Sequence, residues 1–239
     1  MSRSAKIPTR GGLEDVRTDH NFVSGRTVWS VAGVCVLLAA VHSLLASSKA
    51  KGLVSRFAGP RRRNGLYRFG YNALSILQTA WAAWWFSRQP DRVLYRVAPP
   101  WSWAMRAGQI ASLGVVLATV WSSGMPSTGI PQLRCFLTGS EPEPEPEAQG
   151  PPPAAGCEEM GAAGPFRFSR HPSNLASITL FSLFPRMTAN RAALAAVVTV
   201  YAVVGAVHEE HRLMKAYGAA YERYRRSVPF LVPKLARGR

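Results

Sequence analysis

A run of 20 residues without a formal charge, residues 27–46 ("TVWSVAGVCVLLAAVHSLLA"), constrains this chain more than any other feature. As a helix rising about 1.5 Å per residue it matches a hydrocarbon core about 30 Å thick. Further apolar runs cover residues 69–86, rich in Ala, Leu and Trp, then 107–122 and 192–207. The stretch 175–184 is too short to span alone and reads as half of a hairpin with 192–207, turning near "PRMTANR". The expectation is an all-α, polytopic membrane protein of about five transmembrane helices. It ends in a C-terminal helical hairpin and a cytoplasmic amphipathic tail helix. The 26 mostly polar residues ahead of the first run are long for the n-region of a signal peptide, and the run is long for an h-region, so it reads as an uncleaved anchor. The chain divides into a polar N-terminal segment (1–26), membrane helices 1–3 (27–137), an acidic Pro-rich linker (138–165), and a hairpin with its cytoplasmic tail (166–239).

Net charge is +16, from 29 Lys and Arg against 13 Asp and Glu, yet mean hydropathy is close to zero. The basic residues are segregated. "SSKAKGLVSRFAGPRRRNGLYRFG" holds seven and no acid, and the tail from His208 holds eight against three glutamates. With an outside N-terminus and five crossings both segments face the cytoplasm, as does the C-terminus, which satisfies the positive-inside rule. Anionic headgroups therefore account for the charge and membrane lipids are the expected partners. No nucleic-acid module is visible, and nucleic acid is not an expected partner. Cys35, Cys135 and Cys157 form no CxxC pair and suggest neither a disulfide framework nor a cysteine metal site. The compact, Ala- and Arg-rich chain points to a bacterial inner membrane.

The linker alternates proline with glutamate, then carries a proline triplet. Such a sequence cannot bury a core and should be extended or disordered. It reads either as a solvated cytoplasmic linker or as a mobile cover whose six glutamates lie against the basic tail.

Three pieces flank the last two apolar runs. "RHPSN", residues 170–174, places Pro172 where a helix starts, with outward-facing free amides that favour an anion. "VHEEHRLMKAYGAAYERYRR" leaves the fifth run directly, and its adjacent Glu209 and Glu210 are costly beside a bilayer unless cations or an aqueous pocket face them. As a helix it sets Leu213, Tyr217, Tyr221 and Tyr224 on one side. That face suits an interfacial amphipathic helix with aromatic anchors, or one wall of a site. "SVPFLVP" follows and can lie back on the membrane surface. His208 and His211 flank the glutamates, but a pair spaced i, i+3 without an HExxH pattern is not a zinc motif. No metal is expected. His42, inside the first run, reads either as a hydrogen-bonded buried histidine or as a functional group.

The ordered set "RHPxN", hydrophobic hairpin, "EExxL", "YGxxYxxY" and "VPxLxP" resembles the C-terminal region of the isoprenylcysteine carboxyl methyltransferase family. It is similar also to that family's relatives, which include phospholipid N-methyltransferases, methanethiol S-methyltransferases and NnrU-type membrane proteins. The matching positions are Arg170, His171 and Pro172; Glu209, Glu210 and Leu213; Tyr217, Gly218, Tyr221 and Tyr224; then Val228, Pro229 and Pro233. Where the enzymes usually carry HPxYxG, this chain has Asn174 and Ala176, and the asparagine together with "HSLLAS" is closer to the NnrU and thiol-methyltransferase branches.

The resemblance implies S-adenosylmethionine at the cytoplasmic face and an acceptor, a small thiol or lipophilic substrate, entering from the bilayer. The amides near His171 and Asn174, with Arg170, suit the cofactor carboxylate. Glu209 or Glu210 suits its ammonium or ribose, and the tyrosine face and "VPFLVP" suit a cover over the adenine. Glu210 and Arg212 are the candidates for base or acceptor orientation, with His42 and His171 behind them. Two other readings stay open: a non-catalytic NnrU-like protein with a structural, transport or assembly role, and a basic membrane anchor whose linker recruits a partner.

Overall fold

A computed structural model of the chain describes residues 11–123, 128–145, 150–151 and 160–233, with side chains from Gly25 onward. Glu147, Cys157, Glu158 and Glu159 of the linker lie outside the described residues. Helix dominates: α1 (Gly11–Ala46), α2 (Ser48–Ala58), α3 (Pro60–Ser87), α4 (Trp101–Ser122), α5 (Ile130–Leu137), α6 (Pro172–Ser182) and α7 (Ala189–Ser227). The starts are written in the sequence. Ser47 caps α2 by accepting the amide of Ala50, and Thr188 caps α7 by accepting that of Arg191. Pro60 and Pro172 open α3 and α6, at a position where the missing N–H costs nothing.

Among the described residues, three helices are long and apolar enough to cross a membrane: Gly25–Ala46, Trp101–Ser122 and Ala189–Ser227. The two other runs behave differently. α6 has 11 residues, about 16 Å of rise, which is half a bilayer. α3 carries its apolar run behind Arg61, Arg62, Arg63 and Arg68. The apolar side chains of the spans point outward, Trp121 being 90% exposed and Leu117 70%. That is the arrangement expected of helices solvated by lipid rather than by water. The contacts between helices use small residues instead. Ala176 on α6 and Ala202 and Ala206 on α7 are buried, which lets neighbouring backbones approach closely. Gly65 of α3 sits so near α5 that an added Cβ would lie 2.6 Å from the Cβ of Phe136.

One feature departs from the all-α expectation. A short antiparallel ribbon joins β1 (Val93–Arg96) to β2 (Arg186–Thr188) where α3 and α6 finish and α4 and α7 begin. Asn190, 1% exposed, locks that end: its side-chain amide donates to Pro90 O (2.9 Å) and its backbone N–H donates to Asp91 Oδ1 (3.1 Å). The tail segment, expected to leave the fifth run directly, is part of α7. It continues α7 without a loop and is broken only at Gly218, whose φ of 48° and ψ of −122° belong to no helix.

The described part of the linker is anchored at Pro142 and Glu145, while the Glu141 side chain stays 72% exposed. Glu145 pairs with Lys51 and lies 3.8 Å from Arg68, while Asn64 donates to Pro142 O (3.3 Å). Glu141 lies 3.7 Å from Arg61, so the ion pairs of the described linker glutamates are made with α2 and α3. Gly150 packs on Leu213, and Met160 joins Leu213, Tyr221, Tyr224 and Val228 in a buried cluster.

Candidate functional site

Arg170 and His171 end the loop before α6, and Glu209 and Glu210 lie on α7 after its apolar stretch; packing of α6 on α7 brings them together. The Nε of Arg170 is 2.7 Å from Glu210 Oε1, with both side chains at most 15% exposed. The His171 ring, 3% exposed, reaches both carboxylates: Nε2 lies 3.3 Å from Glu210 Oε1 and Nδ1 3.5 Å from Glu209 Oε2. Two acidic neighbours and one guanidinium thus converge on one imidazole, and each carboxylate has a cation or donor beside it, as burial requires.

The segment after α7 closes over this cluster. Arg170 Nη1 donates to Arg225 O (2.6 Å) and Val228 O (3.1 Å), its backbone amide donates to Pro229 O (3.0 Å), and Ser169 Oγ donates to Phe230 O. Phe230 meets the edge of the His171 ring at 5.1 Å and lies under the Arg170 guanidinium at 5.7 Å. Arg170 therefore spends its fork on the protein: it is the rivet joining α6, α7 and "SVPF". Sequence reasoning missed that role because it depends on backbone carbonyls, which leave no residue pattern.

The tyrosine face divides from the rest. Tyr221 and Tyr224 are buried in the cluster with Met160 and Val228, and Tyr217 packs at its edge. Tyr224 Oη donates to Phe166 O (2.7 Å), which fixes the loop ahead of Arg170. Both tyrosines follow the Gly218 break, beyond the apolar part of α7. Burial pushes both phenols well above their ordinary pKa, and the Glu210 carboxylate adds to the effect, most at Tyr221, so both stay protonated.

Two cavities adjoin the charged cluster. The smaller, about 230 Å³, is lined by Phe166, Arg170, His171, Ser173, Asn174 and Leu213 among others. The larger, about 510 Å³, runs among α1, α3, α6 and α7 past His42, Tyr71, Tyr201, His208 and Arg212. That volume is ordinary for a small-molecule site. Arg68, Asn174 and Glu209 belong to the walls of both, so they mark the junction. Asn174 is fixed there by donating to Ala202 O (3.1 Å). Pro172 is buried at the start of α6, where His171 is the N-cap. Of the expected site residues, Arg170, His171, Pro172, Asn174, Glu209 and Leu213 line the smaller cavity, Arg212 the larger, and Glu210 stands behind His171. Neither cavity is lined by Tyr217, Tyr221 or Tyr224. Arg68 and Tyr71 escaped the sequence reading because nothing near them in the chain marks them; only the fold carries α3 to the cavity.

No family model and no solved structure matches the chain. Curated relatives do. Over 70 residues it is 40% identical to methanethiol S-methyltransferase 2 of Bradyrhizobium diazoefficiens, covering 29% of this chain and 27% of that protein. The methanethiol S-methyltransferase of Crocosphaera subtropica is 37% identical over 68 residues (28% and 27%), and that of Pseudomonas deceptionensis 31% over 72 (30% and 28%). The matched segment spans little more than a quarter of each of these relatives. Over that segment this chain is similar to these methanethiol S-methyltransferases.

Proposed function

We propose that the chain is an integral-membrane, S-adenosylmethionine-dependent methyltransferase acting on a small thiol or lipophilic acceptor at the cytoplasmic face of a bacterial inner membrane. The observation that supports this most is the meeting of Arg170 and His171 with Glu209 and Glu210 where two cavities join. In this reading α3 and the α6–α7 hairpin complete five crossings, and the basic segments and the C-terminus lie inside.

The walls fit the cofactor by their chemistry. The smaller cavity offers the first-turn amides of α6 at Ser173 and Asn174 for a carboxylate, and Glu209 for an ammonium or ribose. Phe166 and Leu213 give it an apolar wall for a purine. Bound there, S-adenosylmethionine supplies the electrophilic methyl group. The chain's own work is to position and to keep water out. Glu210 fixes His171 and Arg170 so that the closing segment stays in place. Arg212, on the wall of the larger cavity, orients the acceptor. The buried Tyr221–Tyr224 cluster holds Leu213 against the nucleoside.

Calorimetric titration of the detergent-purified protein with S-adenosylmethionine tests this reading. Saturable heat is expected. No saturable heat at millimolar cofactor would leave the non-catalytic, NnrU-like role in its place.

A further inference from the structure

The larger cavity has two unlike ends. At one stand Glu209 and Arg212. Eight residues back along α7, about 12 Å of helix rise, Tyr201 Oη meets Ser43 Oγ at 3.0 Å. Beside Ser43, one turn before the end of α1, His42 lines the cavity with Tyr71 of α3. Its hydrogen-bond partners are neutral: Nε2 lies 2.6 Å from Tyr71 Oη and Nδ1 3.3 Å from Ser75 Oγ. Polar groups of this kind within a span are costly to keep there, and they mark functional paths more often than packing.

Hydrogen-bond accounting fixes the direction of this chain of groups. Ser75 spends its single O–H on Tyr71 O (2.8 Å), so at His42 it can only accept. The His42 proton is therefore assigned to Nδ1, and Nε2 is an acceptor that receives the Tyr71 O–H. The Tyr71 oxygen keeps lone pairs for a donor arriving in the cavity, and behind it waits a basic nitrogen.

We propose that Tyr71 and His42 form a proton relay that ionises a neutral thiol acceptor held in this cavity. The inference rests on the methyltransferase reading and adds two residues to its acceptor site. The S–H bond of the acceptor breaks. Its proton passes to Tyr71 Oη while the phenolic proton moves to His42 Nε2, leaving an imidazolium. The freed electron pair on sulfur forms the S–CH3 bond to a sulfonium methyl donor, whose own C–S bond breaks with both electrons left on the departing thioether. A carboxylate acceptor arrives already ionised near neutral pH and needs no such group, whereas an alkyl thiol, with a pKa of about 8.5 or above, does.

The test compares wild type with His42→Gln, which keeps both hydrogen-bonding partners but cannot take the proton, and with Tyr71→Phe. Each is assayed for methylation of ethanethiol and of an acidic aryl thiol that is ionised at neutral pH, with cofactor titration as the check that the site is intact. The expected result is a kcat loss of about 10²-fold or more with ethanethiol and a much smaller loss with the aryl thiol. Equal losses with both acceptors, or none, would overturn the relay while leaving the methyltransferase reading standing. A wild type that methylates neither thiol yet binds cofactor would overturn the thiol assignment, and one that binds no cofactor would remove both proposals together. Nitrogen-15 spectra of histidine-labelled protein without cofactor give a second readout. They should show His42 as the Nδ1–H tautomer in wild type and a shift toward the other tautomer in Tyr71→Phe. An Nε2–H tautomer in wild type refutes the assignment.

Discussion

The two adjoining cavities are walled by polar groups held by opposite means. At the α6–α7 end, on the smaller cavity, the groups are ionic, with Arg170 and His171 against Glu209 and Glu210, and backbone carbonyls from the last segment complete them. At the α1–α3 end of the larger cavity a neutral set, His42, Tyr71, Ser75, Ser43 and Tyr201, is linked through hydroxyls and ring nitrogens, with the Lys51–Glu145–Arg68 ion set lining the same cavity. Removing one member of an ionic set strands a charge, whereas removing one member of a neutral set strands at most a dipole. The first end should therefore govern stability as well as binding, and the second chemistry alone.

Glu210→Ala should break this comparison most sharply if it is mistaken. It leaves Arg170 and His171 beside an empty place, at a cost of about 3–5 kcal/mol. The thermal unfolding midpoint should fall well below that of Tyr71→Phe, and S-adenosylmethionine binding should be lost. An alanine variant that melts and binds like wild type would refute both the comparison and the site. Arg170→Lys comes next. A lysine cannot serve Glu210 and two carbonyls at once, so about 1.5–3 kcal/mol is expected, together with faster tryptic release of the tail after Arg225 or Arg226. Gly218→Ala tests whether the break in α7 aims the tail at the cluster. A side chain there is strained at φ 48°, costing about 1–3 kcal/mol, and the same tryptic cleavage should quicken. Smallest is Tyr224→Phe, which removes the bond to Phe166 O and about 1 kcal/mol, visible as a modest drop in melting temperature with cofactor affinity nearly unchanged.

The ionic end was legible in the sequence because its members come in compact clusters at helix boundaries. A histidine–proline pair announces a helix start, and two adjacent carboxylates after an apolar run demand company. The neutral end was not legible, since it draws two residues each from α1 and α3 and one from α7 that no local pattern connects; His42 alone stood out, by being ionisable inside a span. The ribbon of Val93–Arg96 with Arg186–Thr188 was equally hidden. Its strands are short, arginine-bearing and ninety residues apart, so neither carries an alternating pattern long enough to read. The tie between Glu145 and α2 and α3 escaped for another reason. Composition points to a segment without a core of its own, but it cannot say which cations that segment meets.

The bonds from Arg170 to Val228 O and Pro229 O also set an order for biogenesis. The ionic cluster stays open until residue 230 has been synthesised and folded back, and a product clipped before that stretch would leave Arg170 and His171 without their closing partners.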